Sequence, residues 1–147
     1  MSDPNSQRDR NIQKMFDRIA GRYDLLNRVI SFRLDTRWRR QAIRTLLTKP
    51  DPLILDIGTG TGDLAFDAIR IASGRASIVG LDFSLRMLQL ARSKEIKSSP
   101  DGRTTFVLGS AMAAPFSDAA FDGAMTAFVL RNVSDLPLLF AEAFRVL

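Results

Sequence analysis

Apolar residues recur at helical spacing near the start of the chain, at Ile12, Met15, Phe16, Ile19, Tyr23, Leu26 and Ile30, with arginines between them. The spacing predicts an amphipathic helix, or a pair of short ones, from Arg8 onward. A second helix is predicted from Asp35, as N-cap, through Trp38, Ile43 and Leu46 to Leu47, and Pro50 and Pro52 end it. The rhythm then changes. Short apolar runs at Leu53–Ile57, Ser77–Leu81, Thr104–Leu108 and Phe121–Phe128 read as strands. Between them fall helical patterns from Leu64 to Ala72, closed by Gly74, and from Leu85 to Lys97, opened by Ser84. A last one runs from Leu136 to Leu147, and Pro100-Asp101-Gly102 is a turn. Strands alternating with helices predict a parallel sheet covered on both faces.

At 147 residues the chain has the length of one domain, with apolar content enough for a core. It has neither cysteine nor histidine. Thiolate metal sites, disulfides, cysteine nucleophiles and histidine bases are therefore all excluded, and no metal site is expected. No apolar run reaches a membrane span and the N-terminus lacks a signal-peptide core, so a cytoplasmic protein is expected. Charge divides the chain in two. Residues 1–49 hold 12 Lys/Arg against 5 Asp/Glu, a net of +7, whereas residues 50–147 carry a net of −2. The boundary separates a basic helical segment (1–49) from an α/β core (50–147). The basic face suits an anionic surface, whether nucleic acid or membrane, or simply solvent.

The chemistry concentrates in Leu55-Asp56-Ile57-Gly58-Thr59-Gly60-Thr61-Gly62-Asp63. Glycines at alternate positions after a strand let a ligand approach bare backbone. A dinucleotide fingerprint, G-x-G-x-x-G, needs glycine at position 63, where Asp63 stands. The spacing G-x-G-x-G points away from NAD and toward S-adenosylmethionine. The acidic surround agrees, because a sulfonium amino acid is cationic at that end and a diphosphate is not. No G-K-[S/T] follows, which excludes a P-loop. Asp82, 20 positions beyond Gly62, is placed to accept ribose hydroxyls, or to cap the helix that Ser84 opens. Phe83 can lie against adenine or pack in the core. Asp56 can hold loop N–H groups or meet the cofactor's ammonium through water. Ser110 can bond adenine, and Ala111 leaves the ring room.

Four stretches together resemble the ubiquinone/menaquinone biosynthesis C-methyltransferases, enzymes of the class I S-adenosylmethionine-dependent fold. They are Met15-Phe16-Asp17-Arg18-Ile19-Ala20 with Tyr23-Asp24-Leu25-Leu26-Asn27, continuing to Ser31 and Trp38; Asp56 through Asp63; Ser110-Ala111 with Pro115-Phe116 and Phe121-Asp122; and Phe128-Val129-Leu130-Arg131-Asn132-Val133 with Phe144-Arg145-Val146-Leu147. The glycine stretch is common to the class; the Tyr-Asp-x-x-Asn and Leu-Arg-Asn-Val stretches are more particular. Family members usually carry Met at Leu26, His at Asp35, Asp or Asn at Ser110 and Ser at Ala127. They also continue past Arg-Val-Leu with Lys-Pro-Gly-Gly and three further strands. The resemblance thus implies a Rossmann-like class I methyltransferase sandwich, a parallel sheet with N-terminal helices, whose C-terminal strands are missing here. A fragment or a truncated product is the expectation.

The resemblance also implies a transferase that methylates a ring carbon of a polyprenylated quinol in menaquinone or ubiquinone biosynthesis. Gly58, Gly60, Thr61, Gly62, Asp82, Ser110, Ala111 and Ala127 fall on the cofactor side, with Asp56 and Phe83. Ala127 offers only backbone or van der Waals contact. Tyr23, Arg131 and Asn132 line the quinol pocket. A guanidinium holds its proton, so Arg131 suits phenolate stabilisation better than proton removal. The base is left open among Asp24, Asp35, Tyr23 and a water held by Arg131 and Asn132, and Asn132 can instead cap the last helix. The N-terminal helices would form a lid, their arginines facing anionic lipid at the inner membrane surface and their apolar side admitting the tail. A homodimer is allowed but not specified. Two alternatives stay open: a cofactor-binding module without activity, and a methyltransferase with another acceptor. An RNA acceptor is not expected, since no aromatic-and-basic sheet pattern is present.

Overall fold

The computed structural model describes residues 15, 35–47, 49–98 and 102–147. The helix predicted from Arg8 and the turn residues Pro100 and Asp101 lie outside the described residues. Helix α1 is Asp35–Leu46, followed by β1 (Leu53–Ile57), α2 (Asp63–Ile71), β2 (Ser77–Asp82), α3 (Leu85–Ser98), β3 (Thr104–Leu108), β4 (Gly123–Thr126) and α4 (Leu136–Arg145). A single 3-10 turn, Leu130–Asn132, joins β4 to α4. The four strands are parallel in the order β3-β2-β1-β4.

Side chains alternate across the sheet because the strand period is two. Ile54 and Ile78 point to one face, where Ile43 of α1 and Ala65, Ala68, Ile69 and Ala72 of α2 cover them. On the same side Phe66 of α2 meets Leu88 and Ala91 of α3 over Phe106 of β3, the two rings edge to face with centroids 5.9 Å apart. Leu55, Ile57 and Leu81 point to the other face and pack with Leu139 of α4, Phe121 and Val146. Small residues on α2 let the helix lie close to the sheet. Large aliphatic residues fill the gap on the α4 side, each worth about 1.5–3 kcal/mol when fully buried.

The predicted elements recur with shifted ends, and the largest shift is in β4. The pattern predicts strand over Phe121–Phe128, but only Gly123–Thr126 pairs with β1. At the start, Phe121 N–H donates to Val146 O, 2.9 Å, which draws it toward the end of α4. The Asp122 carboxylate takes the Leu53 N–H at 2.8 Å, and Asp122 N–H donates to Leu53 O at 2.8 Å. At the far end Phe128 turns into the left-handed region, φ 63°, and strand geometry cannot continue. Helix α2 ends at Ile71, with Ser73 rather than Gly74 taking the first left-handed position, φ 52°. Ser73 N–H reaches Arg70 O at 3.2 Å and Gly74 N–H reaches Ile69 O at 3.1 Å, which satisfies the last carbonyls of the helix.

Candidate functional site

Parallel strands put all their C-terminal ends on one edge of the sheet. Order reverses between β1 and β4, and ligands of open α/β sheets bind outside such a reversal. The glycine turn sits there. Its three glycines have φ of 68° (Gly58), 56° (Gly60) and 83° (Gly62), a region that side chains disfavour. Gly58 and Thr59 N–H both donate to Leu81 O, at 2.8 and 3.0 Å, which ties the turn to β2. A Cβ on Gly58 would stand 2.3 Å from Val129 Cγ2, and one on Gly62 2.8 Å from the Phe66 ring. At Gly60 a Cβ would meet none of the described residues within 4 Å. Two of the glycines thus answer to the protein's own packing, and the middle one borders open space.

Two buried carboxylates organise the turn. Asp56, at the end of β1, accepts the Thr59 hydroxyl at 2.7 Å. Asp82, at the end of β2, accepts Gly60 N–H on Oδ2 and Ser84 N–H on Oδ1, both at 2.8 Å. Ser84 Oγ in turn accepts Met87 N–H at 3.2 Å and caps α3. Ser84 rather than Asp82 therefore supplies the cap of α3, and the Asp82 carboxylate couples the glycine turn to the residue that opens the helix. Phe83 lies beside it, half-buried.

A third partner of the turn was not visible in the sequence. Lys94 of α3 donates to Thr61 Oγ1 and to Asp63 Oδ1, each at 2.9 Å. More than thirty residues separate these groups, and on α3 alone the lysine reads as an ordinary solvated position. Its charge offsets that of Asp63, so the acidic character of the turn rests on Asp56 and Asp82.

Beyond β3, Gly109 N–H donates to Asp82 O at 2.9 Å and brings Ser110 and Ala111 to the same edge. Ser110 Oγ accepts Met112 N–H at 3.2 Å, and Ala111 packs against the core on the α4 side. Arg145 holds the following loop in place. Its guanidinium forks onto Glu142, with Nε to Oε1 and Nη2 to Oε2 at 2.9 Å each, and also donates to Asp118 Oδ1, Phe116 O and Ala114 O. This fork, with Ala114 N–H, pulls the Glu142 carboxyl down to about 2, and Glu142 and Asp118 raise the guanidinium further. Lys49 and the Leu53 N–H likewise lower Asp122.

Beyond β4, Ala127 leads into Phe128 and Val129, and Val129 closes over Gly58. Thr126 Oγ1 donates to Ile57 O at 2.8 Å and locks β4 to β1 at this point. Arg131 is exposed, with its guanidinium carbon 5.9 Å from the Phe128 ring centroid. Asn132 Nδ2 donates to Phe128 O at 3.4 Å. The cap of α4 is Asp135, whose Oδ1 accepts Leu138 N–H at 2.9 Å, so the capping alternative for Asn132 does not hold. Asp56 and Asp82 lie at the C-terminal ends of β1 and β2, and Gly58, Gly60, Thr61, Gly62, Phe83, Ser110, Ala111, Ala127, Arg131 and Asn132 follow the C-terminal ends of strands. Tyr23 and Asp24 lie outside the described residues. Among the described residues no cluster of acidic side chains could hold a metal ion.

The ubiE/COQ5 methyltransferase family matches residues 2–147. The chain is 42% identical over 142 residues to the ubiquinone/menaquinone biosynthesis C-methyltransferase UbiE of Geotalea daltonii, covering 97% of this chain and 60% of that relative. It is 47% identical over 133 residues to the demethylmenaquinone methyltransferase of Thermus thermophilus, covering 90% and 59%. The chain thus spans about 60% of the length of the curated relatives it matches. Among solved structures it resembles an S-adenosylmethionine-dependent methyltransferase of Thermotoga maritima, described as a possible histamine N-methyltransferase. The TM-score is 0.67 at 25% identity, over 91% of this chain and 56% of that one.

Proposed function

The chain belongs to the ubiE/COQ5 methyltransferase family, S-adenosylmethionine-dependent enzymes of the Rossmann-like class I fold, and from that premise we propose that it carries the cofactor side of an enzyme that C-methylates a polyprenylated quinol. The supporting observation is the bridge from Asp82 to Gly60 N–H and Ser84 N–H, next to the open space over Gly60. A nucleoside fits such a site: a carboxylate for ribose hydroxyls, flat backbone against the ligand, and Phe83 nearby for a ring. In this reading Asp82 and the turn Gly58–Gly62 hold the nucleoside and amino-acid portions, Phe83, Ser110 and Ala111 surround the adenine, and Ala127, on the β4 side of the turn, offers the cofactor only backbone or van der Waals contact. The bound cofactor supplies a methyl group activated by a sulfonium.

Aligning the acceptor falls to this chain's own residues. Ionisation of a phenol makes the ortho or para ring carbon nucleophilic. Arg131 would stabilise the phenolate, and Asn132 and Tyr23 would orient the ring. Once the ring carbon has taken the methyl group that a bound cofactor would supply, it would give up its proton to a base. Calorimetry with S-adenosylmethionine tests the cofactor site. Asp82→Ala is expected to weaken binding at least about tenfold, as the loss of charged hydrogen bonds implies. Equal affinities would overturn the assignment.

Among the described residues no helix is long and apolar enough to cross a membrane. We place the basic segment 1–49 at an anionic membrane surface, as a lid that admits the isoprenoid tail. Flotation with anionic liposomes is expected to carry the chain along, and neutral liposomes are expected not to. Binding indifferent to lipid charge would sink this placement.

A further inference from the structure

Phe128 adopts φ 63°, a conformation that a bulky side chain rarely tolerates. Such strain persists where the surroundings over-determine it, and it gathers at ligand sites. Here the surroundings are visible. The Asn132 amide donates to Phe128 O, Asn132 N–H donates to Val129 O at 2.8 Å, and Val129 is seated on Gly58. What the strain achieves is the position of the ring. Phe128 is 37% exposed rather than packed in the core, and it stands at the strand reversal beside the glycine turn. Leu130, 40% exposed, adds apolar surface, and the Arg131 guanidinium lies toward the ring at 5.9 Å.

Resting on the acceptor reading above, we propose that Phe128 is an acceptor-contacting residue. Its ring is one wall of the pocket, and Arg131 stands beside that wall as the partner of the phenolate oxygen. An aromatic face next to a cation selects a flat aromatic ring that carries negative charge. It disfavours a polar acceptor, which gains nothing from the ring. Asn132 is then also a positioning residue, because its amide holds the Phe128 carbonyl in the strained turn.

The test uses the whole chain saturated with S-adenosylhomocysteine and titrated calorimetrically with a geranyl-substituted naphthoquinol kept reduced by dithionite. Phe128→Tyr keeps the ring and is expected to bind within about twofold of the unsubstituted chain, whereas Phe128→Leu binds roughly three- to tenfold more weakly. Phe128→Ala and Phe128→Gly are expected to lose affinity equally. Phe128→Gly is also expected to melt about 2–5 °C above Phe128→Ala, since the two differ in the left-handed backbone cost. Affinity for S-adenosylhomocysteine stays unchanged throughout. Phe128→Leu binding the quinol as well as the unsubstituted chain overturns the proposal and leaves the acceptor reading standing. So does Phe128→Ala melting at or above Phe128→Gly. If the Ala and Gly forms do not fold, the Tyr and Leu pair decides. An unsubstituted chain that binds S-adenosylhomocysteine but no quinol overturns the acceptor reading and this proposal together.

Discussion

At the scale of single residues, the glycine turn separates two reasons for having no side chain. Gly58 and Gly62 are crowded by Val129 and Phe66, whereas Gly60 is crowded by none of the described residues. Gly60→Ala should therefore carry only the left-handed backbone cost, about 1–2 kcal/mol. Gly58→Ala adds a collision with Val129 and should cost about 3 kcal/mol or more. Urea unfolding measures both. For ligand affinity the order should reverse, with Gly60→Ala the more harmful per unit of stability lost. A Gly60→Ala chain that binds S-adenosylmethionine normally would remove the turn from the cofactor site. The alternation of glycines was legible in the sequence. The division of labour among them was not, because Val129 approaches from seventy-one positions away.

At the scale of elements, hydrophobic rhythm located every strand and α-helix that the structure describes from residue 35 on, but not the 3-10 turn Leu130–Asn132. Their ends were set by local hydrogen bonds that the rhythm does not encode. Helix α2 shows this well. Gly74 looks like the natural stop, yet Ser73 takes the left-handed position one residue earlier. Ser73 is exposed, so nothing but the backbone opposes a change. Ser73→Gly is expected to stabilise the chain by about 0.5–1 kcal/mol, raising the melting temperature by about 2–4 °C. A melting temperature that fell would mean the serine hydroxyl does more than the chain geometry implies. The strand β4 is the opposite case. Its apolar run is longer than its pairing, because Asp122 spends its carboxylate on Leu53 N–H and Phe128 leaves the strand conformation.

At the scale of the whole molecule, α4 is held to the loop after β3 by the Arg145 fork. Glu142 has a carboxyl pulled from an ordinary value near 4.5 to about 2 in the folded chain. The folded pKa is depressed, so the unfolded chain binds more protons in the interval between. The contribution is fully present above about pH 4.5 and is lost as pH falls toward about 2. Asp122 shifts in the same direction, through Lys49 and Leu53 N–H, and adds to the loss. Chemical denaturation from pH 6 down to pH 3 should show stability falling, and Glu142→Gln should flatten the slope. An unchanged slope in that variant would show that other carboxylates govern acid unfolding. The same fork steadies the loop that carries Ser110 and Ala111, so acid should weaken nucleoside binding before it unfolds the sheet.

Sequence alone determined the fold class and the place of the glycine turn, because strand period, helix period and glycine spacing are local properties of the chain. It also singled out Asp82, since a strand end followed by a helix start is readable along one dimension. Only tertiary structure could decide that Lys94 reaches Thr61 and Asp63, that Val129 closes on Gly58, and that Arg145 braces the loop after β3. Each of these joins groups far apart in sequence, and folding brings them together for reasons that no local pattern records. Phe128 belongs to both levels: its place just ahead of the Leu130-Arg131-Asn132-Val133 stretch was legible, and its strained backbone beside Arg131 was not.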